Sequence, residues 1–283
     1  MRALLETVEK VAGHDVNLLL LGESGSGKDH LARAIHACSS RRDAAFVTID
    51  CASIPAELFE SELFGYEKGT FTDATARKIG RLEAAGQGTV YFDEIGGLAP
   101  ALQPKLLRAM QDRSFTRLGG SQLVPFTARV ISSSSDDASS LRRDLLYRIN
   151  VVTLRVPPLR ERMQDLLPLA RKFLARRKRA VREDALALLR SYHWPGNVRE
   201  LQNVIERAVI VERGDVITPE SLPPLEGDLV EMAGRSQWTL EELESHYIRE
   251  ILRQNRRNYS RAAVILGINR KTLLEKRRKY GID

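Results

Sequence analysis

At 283 residues, with 43% hydrophobic and 29% charged side chains, the chain is too long for one typical domain and too apolar to be disordered. Two cysteines, Cys38 and Cys51, exclude a disulfide framework or a cysteine-built metal set and suit a reducing compartment. The net charge of +7 is mild for this length, so any basic partner surface has to be local. From Arg253 onward, Arg256, Arg257, Arg261, Arg270, Lys271 and the run 276–279 outnumber the acids, which predicts a nucleic-acid face.

The opening "MRALLETVEKVAGHD" is amphipathic and holds acids, unlike a secretory signal. No run reaches the ~18 apolar residues of a membrane span, so a cytoplasmic protein with no membrane partner is expected. Residues 17–21 then form an apolar strand followed by "GESGSGKD", the G-x-x-x-x-G-K spacing of a P-loop, with a helical pattern over 29–37 behind it. Through this stretch (Gly22, Glu23, Ser24, Gly25, Ser26, Gly27) glycine lets backbone N–H groups turn in around phosphate, and the helix N-terminus adds its positive end. Lys28 supplies a cation for the β- and γ-phosphates; the next position, usually a Ser or Thr whose hydroxyl meets Mg²⁺, is Asp29.

A second apolar strand, 45–49, runs into Asp50. "FGYEKGTFTDATARKIG" keeps neither a strand nor a helix period and reads as a loop, yet it holds out an aromatic side chain, Phe71. The strand at 89–92 ends in Asp93 and Glu94, and the C-terminal ends of such strands are where an open α/β sheet binds its ligand. Asp93 is expected to hold Mg²⁺, and Glu94 to orient or deprotonate an attacking water. A helix over 102–111, strands at 128–131 and 151–156 and a serine patch at 132–135 complete the region. This alternation predicts an α/β subdomain with a mostly parallel sheet over 1–156.

"PPL" at 157–159 ends the last strand, and residues 157–213 read as helical only, with Leu201, Val204, Ile205, Ala208 and Val209 on one face. Residues 214–237 mix Gly, Pro, Asp, Glu and Ser and read as a linker with at most one short element. A new helix begins at Trp238 with Leu240, Leu243, Tyr247, Ile251 and Leu252 on one side. "NYSRAAVILGINRKTLLEKRRKYGI" predicts a helix-turn-helix within a unit spanning 238–283. Ser260 caps the first helix, Gly267 makes the turn, and Asn269 caps a second helix whose Leu273 and Leu274 face inward. Arg270, Lys271 and Thr272 stand where a recognition helix meets base edges, while Lys276, Arg277 and their basic neighbours meet phosphate.

These blocks, with "ESELFGYEKGTFTDA", "GRLEAAGQGTVYFDEIG", "LQPKLLRAMQD", "RRDLLYRINVVTLRVPPLRER" and "WPGNVREL" in the same order, resemble the sigma-54-dependent transcriptional activators of the nitrogen-regulator type nearly end to end. The resemblance implies an AAA+ P-loop core, an all-α lid and a Fis-type helix-turn-helix whose 238–255 helix pairs two protomers. It gives the aromatic loop a role, since the family's "GAFTGA" loop touches sigma-54 and aligns with Gly69, Thr70, Phe71, Thr72, Asp73 and Ala74. Phe71 and Thr72 are retained; Thr70 replaces Ala, and Asp73 puts a charge and a Cβ where the family has Gly. Arg142 and Arg148 align with two arginine fingers, which a neighbouring subunit supplies, implying a homo-oligomer from dimer to hexameric ring. Arg199 aligns with the lid sensor of the nucleotide.

Asp50 stands where the family has an Asn coupled to the catalytic glutamate, Ser135 stands at the sensor Asn, and the segment between Ser135 and "LRRD" is several residues shorter than usual. The expectation is an ATPase that binds upstream double-stranded DNA and uses ATP with Mg²⁺ to remodel the closed complex of the sigma-54 RNA polymerase holoenzyme. The rival, fed by Asp50, Asp73 and Ser135, is a DNA-binding regulator whose ATP site sets oligomeric state without engaging sigma-54. Only about twenty residues precede the P-loop, so control is expected from a separate regulatory protein, from expression level or from a part absent from this sequence.

Overall fold

Four consecutive leucines, Leu18–Leu21, are all buried and form β1, the second strand in from one edge of a five-stranded sheet. The computed structural model describes residues 2–72, 74–135, 138–175, 179–225, 238–255 and 258–282. Asp73, Arg256, Arg257 and most of the predicted linker (226–237) lie outside the described residues. One compact unit comprises Met1–Leu186 and Trp194–Leu222, the other Ala187–His193 and Pro223–Asp283.

In the first unit, β2 (Phe46–Asp50), β5 (Thr89–Asp93), β8 (Arg129–Ser134), β1 and β9 (Val152–Arg155) lie side by side in that order, every neighbouring pair parallel. Parallel sheets covered on both faces need strands apolar on both faces, which is why the leucine run works as a strand here. The pleat divides it: Leu19, Leu21, Ile49, Val90, Phe92 and Val130 enter a core with α3 (Ala56–Phe64), α5 (Gln103–Asp112) and α6 (Arg143–Ile149). Leu18, Leu20, Tyr91, Ile131 and Leu154 enter another with α1 (Arg2–Ala12) and α2 (Lys28–Ala37). Each fully buried side chain of this kind contributes about 1.5–3 kcal/mol, so the sheet holds the strand ends firmly in place.

Two small hairpins interrupt the alternation. The predicted loop rises from a two-residue stem, β3 (Gly65–Tyr66) against β4 (Lys78–Ile79), followed by the single turn α4 (Arg81–Ala84). β6 (Ser114–Thr116) pairs antiparallel with β7 (Leu123–Pro125), and Tyr66 bridges to Leu118 between them.

Beyond β9 come α7 (Leu166–Leu174), α8 (Glu183–Ser191) and α9 (Asn197–Val211), whose Leu201, Val204, Ile205 and Ala208 are buried as their spacing predicts. The helical-only reading needs correction, because β10 (Ala180–Val181) pairs in parallel with β11 (Val216–Ile217). That pair and a 3-10 turn at Pro219–Ser221 give the start of the predicted linker fixed structure. Two-residue strands are too short to show any period, which is why pattern reading passes over them.

In the second unit, α10 (Leu240–Gln254), α11 (Tyr259–Ile265) and α12 (Arg270–Lys279) close around Ile248, Ile251, Leu252, Ala262, Ala263, Leu273 and Ile282. Of the face expected on α10, Ile251 and Leu252 are buried, whereas Leu240 and Tyr247 are exposed and Ile248 takes a buried position beside them.

Candidate functional site

β1 delivers the chain to Gly22, whose N–H donates to the Ser134 carbonyl at the end of β8 (3.2 Å). Gly25 and Gly27 then adopt φ of 73° and 100°, left-handed values that let the backbone curl without a Cβ clash. Lys28 opens α2, buried, with its Nζ 2.7 Å from the Gly22 carbonyl oxygen and 2.9 Å from Glu94 Oε1. The curl therefore folds back on its own lysine and aims the start of a ten-residue helix into the same space.

The two carboxylates at the end of β5 are held individually. Asp93 Oδ1 accepts hydrogen bonds from the Tyr91 hydroxyl (2.9 Å) and the Ser133 hydroxyl (2.6 Å). Glu94 leaves the strand at φ 50°, its N–H donating to Ser133 Oγ (3.0 Å) and its Oε2 accepting the Ser135 N–H (2.9 Å). Asp50 sits across from Asp93 in the β2–β5 register, and its Oδ1 accepts the N–H groups of Ala52 (3.0 Å) and Ser53 (3.1 Å). The negative charge here is local: burial, then Asp50, Asp93 and Glu94 in turn, push the Cys51 thiol well above its ordinary pKa.

The lid closes the P-loop from the other side. Val198 donates its N–H to the Gly25 carbonyl (3.0 Å), so close that a Cβ on Gly25 would run into the Gly196 oxygen. Arg199 Nη1 donates to Ser24 Oγ (3.0 Å). Asn197, buried at φ 54°, donates to Glu23 Oε2 and the Ser24 carbonyl (both 3.1 Å) and accepts the Leu159 N–H (2.8 Å). Arg160 grips Glu23 bidentately at 2.7 and 2.8 Å, and Arg162 donates to the Ser26 carbonyl (2.6 Å). The buried Ser26 hydroxyl has no partner among the described residues.

Together these elements enclose a cavity of about 400 Å³ lined by Ser24, Gly25, Gly27, Lys28, Asp29, His30, Asp50, Ala52, Asp93, Glu94, Val198, Arg199 and Gln202. A buried lysine, a helix N-terminus and a left-handed glycine turn beside a carboxylate pair are the donor set of a metal–polyphosphate site. No group of three or more His, Cys, Asp or Glu side chains that could hold a metal occurs among the described residues. Mg²⁺ binds through one or two carboxylates with phosphates and waters completing its shell, and the carboxylates that line this cavity fit such an ion. Asp29 also meets Arg33 one turn on (3.2 Å).

Sequence reading did not single out Ser133, Asn197, Arg160, Arg162, His30, Val198 or Gln202. Asn197 and Val198 stand inside "WPGNVREL", and Arg160 and Arg162 inside "RRDLLYRINVVTLRVPPLRER", but the partners of Asn197, Glu23 and Leu159, are remote from it in sequence. Ser135 reaches the site through its backbone N–H on Glu94, and its side chain is not part of the cavity lining. Arg142 and Arg148 lie outside the cavity of their own chain. Both are exposed on or beside α6, Arg142 paired with Asp144 (2.7 Å) and Arg148 donating to the Met110 carbonyl (3.0 Å).

The hairpin stem is anchored by Arg117, buried between Glu67 (2.7 Å) and Glu83 (2.7 Å). Thr70 Oγ1 donates to the carbonyls of Glu67 (2.6 Å) and Leu118 (3.0 Å), fastening the tip to the β6–β7 hairpin. Gly69 N–H to the Ala74 carbonyl (2.8 Å) and Ala74 N–H to the Phe71 carbonyl (2.9 Å) close a tight turn. Phe71 sits on this turn, 45% exposed, edge-on to the Tyr66 ring at 4.8 Å; Thr72 is exposed beside it.

In the second unit Gly267 makes the turn at φ 66° and Asn269 caps α12 by accepting the Thr272 N–H (2.8 Å). The cap of α11 needs correction: Asn258, accepting the Arg261 N–H (3.1 Å), takes that place and Ser260 falls within the first turn. Arg270 and Lys271 are exposed at the start of α12. Two expected phosphate contacts point elsewhere, Lys276 to Glu244 (2.7 Å) and Arg277 to the Tyr259 hydroxyl (2.7 Å).

Comparison with known proteins agrees with this geometry. The model of the sigma-54 interaction domain matches residues 1–155, that of the AAA+ ATPase lid domain 160–233, and that of the bacterial regulatory proteins of the Fis family 239–280. The alginate biosynthesis transcriptional regulatory protein AlgB of Pseudomonas aeruginosa is 43% identical over 297 residues, covering 100% of this chain and 66% of its own length. The regulatory protein AtoC of Escherichia coli is 40% identical, with coverage of 100% and 66%. The crystal structure of NtrX from Brucella abortus in complex with ATP superposes with a TM-score of 0.73 at 35% identity, covering 100% of this chain and 68% of that one. The chain thus spans just under two thirds of the length of AlgB and AtoC. It belongs to the sigma-54-dependent transcriptional regulators, with an AAA+ sigma-54 interaction domain, its lid and a Fis-family helix-turn-helix.

Proposed function

We propose that this chain is an ATP-dependent transcriptional activator that binds upstream DNA and uses ATP hydrolysis in an oligomeric ring to remodel the sigma-54 RNA polymerase closed complex. The observation that carries the reading is the convergence of Lys28, Asp93, Glu94 and the lid's Arg199 on one cavity. The ATP and ADP complexes of NtrX support nucleotide as its ligand. Asp93 would hold Mg²⁺, which when bound neutralises charge on the phosphate oxygens. Lys28 must then exchange Glu94 for phosphate, which leaves the Glu94 carboxylate to orient and deprotonate a water, with the Ser135 N–H fixing its second oxygen. Arg142 and Arg148, outside their own cavity, would complete a neighbour's, and such a group raises turnover roughly 10³–10⁵-fold.

The division into an α/β subdomain (1–156), lid (157–213), linker (214–237) and DNA-binding unit (238–283) belongs to the same proposal. So does the assignment of Phe71 and Thr72 to sigma-54 and of Arg270, Lys271 and Thr272 to base edges, with control by a separate regulatory protein and action in the cytoplasm.

The test is ATPase rate per subunit against protein concentration, beside sigma-54 binding in the presence of a transition-state analogue of ATP hydrolysis. Turnover that climbs with assembly and a sigma-54 complex that needs the analogue are the expected results. Nucleotide binding with neither would leave a DNA-binding regulator whose ATP site sets oligomeric state alone.

A further inference from the structure

We infer that Ser133 is a positioning residue for both carboxylates at the end of β5, and that it sets how tightly the site takes Mg²⁺ with nucleotide. This rests on the nucleotide reading above. The β5–β8 register pairs Phe92 with Ser132, which brings Ser133 alongside Asp93. Adjacent strands in register present equivalent side chains to the same face, so the hydroxyl and the carboxylate meet.

The Ser133 hydroxyl works in both directions. It donates to Asp93 Oδ1 at 2.6 Å, a length that belongs to hydrogen bonds with an ionised acceptor. It also accepts the Glu94 N–H at 3.0 Å, at the residue where the chain turns to φ 50°. An L residue holds that left-handed conformation only when its surroundings fix it. One buried oxygen therefore fixes the rotamer of Asp93 and the backbone turn that aims Glu94.

Tyr91, fully buried, adds a second hydroxyl to the same Oδ1 at 2.9 Å. With both donors on Oδ1, Oδ2 is the oxygen left to a ligand in the cavity. Ser132 supplies the contrast on the same strand: it is equally buried, faces away from Asp93, and its hydroxyl has no partner among the described residues.

The experiment uses the full chain and a fluorescent N-methylanthraniloyl ATP, titrated in excess EDTA and again at fixed nucleotide with rising Mg²⁺. Ser133→Ala should raise the Mg²⁺ concentration for half-maximal binding about tenfold, the usual cost of losing a group that orients a metal ligand. Its affinity in EDTA should stay within about twofold, since Lys28 and the P-loop are untouched. Tyr91→Phe should move the Mg²⁺ midpoint about threefold, and Ser132→Ala should leave it in place. Thermal melting of each variant checks that the fold persists; Tyr91→Phe, nearly isosteric, carries the test if Ser133→Ala does not fold.

A Ser133→Ala midpoint within about twofold of the unsubstituted protein, or equal weakening in EDTA, would overturn the inference. Failure of the unsubstituted protein to bind the nucleotide in either condition would instead remove the nucleotide reading, and this inference with it.

Discussion

At the end of β5, Asp93 and Glu94 are gripped by two hydroxyls, a backbone N–H and a buried lysine, drawn from β5, β8 and the P-loop. At the end of β3 the chain runs on to a turn held by Arg117 at its stem and Thr70 at its tip, with Phe71 touching one ring and standing 45% exposed. The first arrangement suits chemistry, where small displacements of a carboxylate are costly, and so both carboxylates are held in place. The second suits contact, where a rigid stem has to present an apolar side chain that the molecule itself does not cover.

The largest effect is expected on the fixed side of this contrast. Lys28→Ala removes the only cation lodged inside the glycine turn among the described residues and should weaken ATP binding about 10²–10³-fold by fluorescence titration, with the Phe71 hairpin unaltered. Retained affinity would mean that the turn and helix N-terminus suffice, and the contrast would lose one of its poles.

On the exposed side, Phe71→Ala should leave ATP hydrolysis within about twofold and cut the analogue-dependent sigma-54 complex about 30- to 100-fold, as for a central aromatic anchor. Hydrolysis that fell in parallel would show that the tip is coupled to the cavity more tightly than its few contacts suggest.

The sequence made these two sites unequally legible. Lys28, Asp93 and Glu94 could be placed because each is fixed by its distance along the chain from an apolar strand, and strands that bury both faces announce themselves. Phe71 could be placed by resemblance, but Arg117 could not, since its partners Glu67 and Glu83 meet it only after two hairpins have folded. Ser133 was hidden inside a run of like residues; which serine faces Asp93 depends on strand register, and a shift of one position would exchange it with Ser132. The same non-locality hid Asn197, which joins the lid to Glu23 across the P-loop. In the second unit the cap moved from Ser260 to Asn258 because both can accept an N–H, and only the backbone path decides between them. The exposed Leu240 and Tyr247 show that a helix with apolar residues on more than one side does not declare which side the core takes.

Arg117 ties the hairpin stem at Glu67 to Glu83 of α4, and the smallest expected effect tests that tie. Arg117→Ala leaves Glu67 and Glu83 facing each other across the lost side chain and should cost about 2 kcal/mol of stability. The hydrogen bond from Arg117, opposed by burial and aided by the charges of Arg117 and Arg77, holds the Glu83 carboxyl below its ordinary pKa. A carboxylate depressed in the folded state binds fewer protons there than in the unfolded chain, so its stabilisation is complete above the ordinary value of about 4.3. It is lost as the pH falls through the lower folded value. The stability gap between the unsubstituted protein and Arg117→Ala, measured by urea unfolding, should therefore be widest near neutral pH and should narrow on acidification below about pH 4. A gap that stayed constant into acid would mean that Arg117 holds the hairpin by packing rather than by charge, and that the stem is a plain extension of the core.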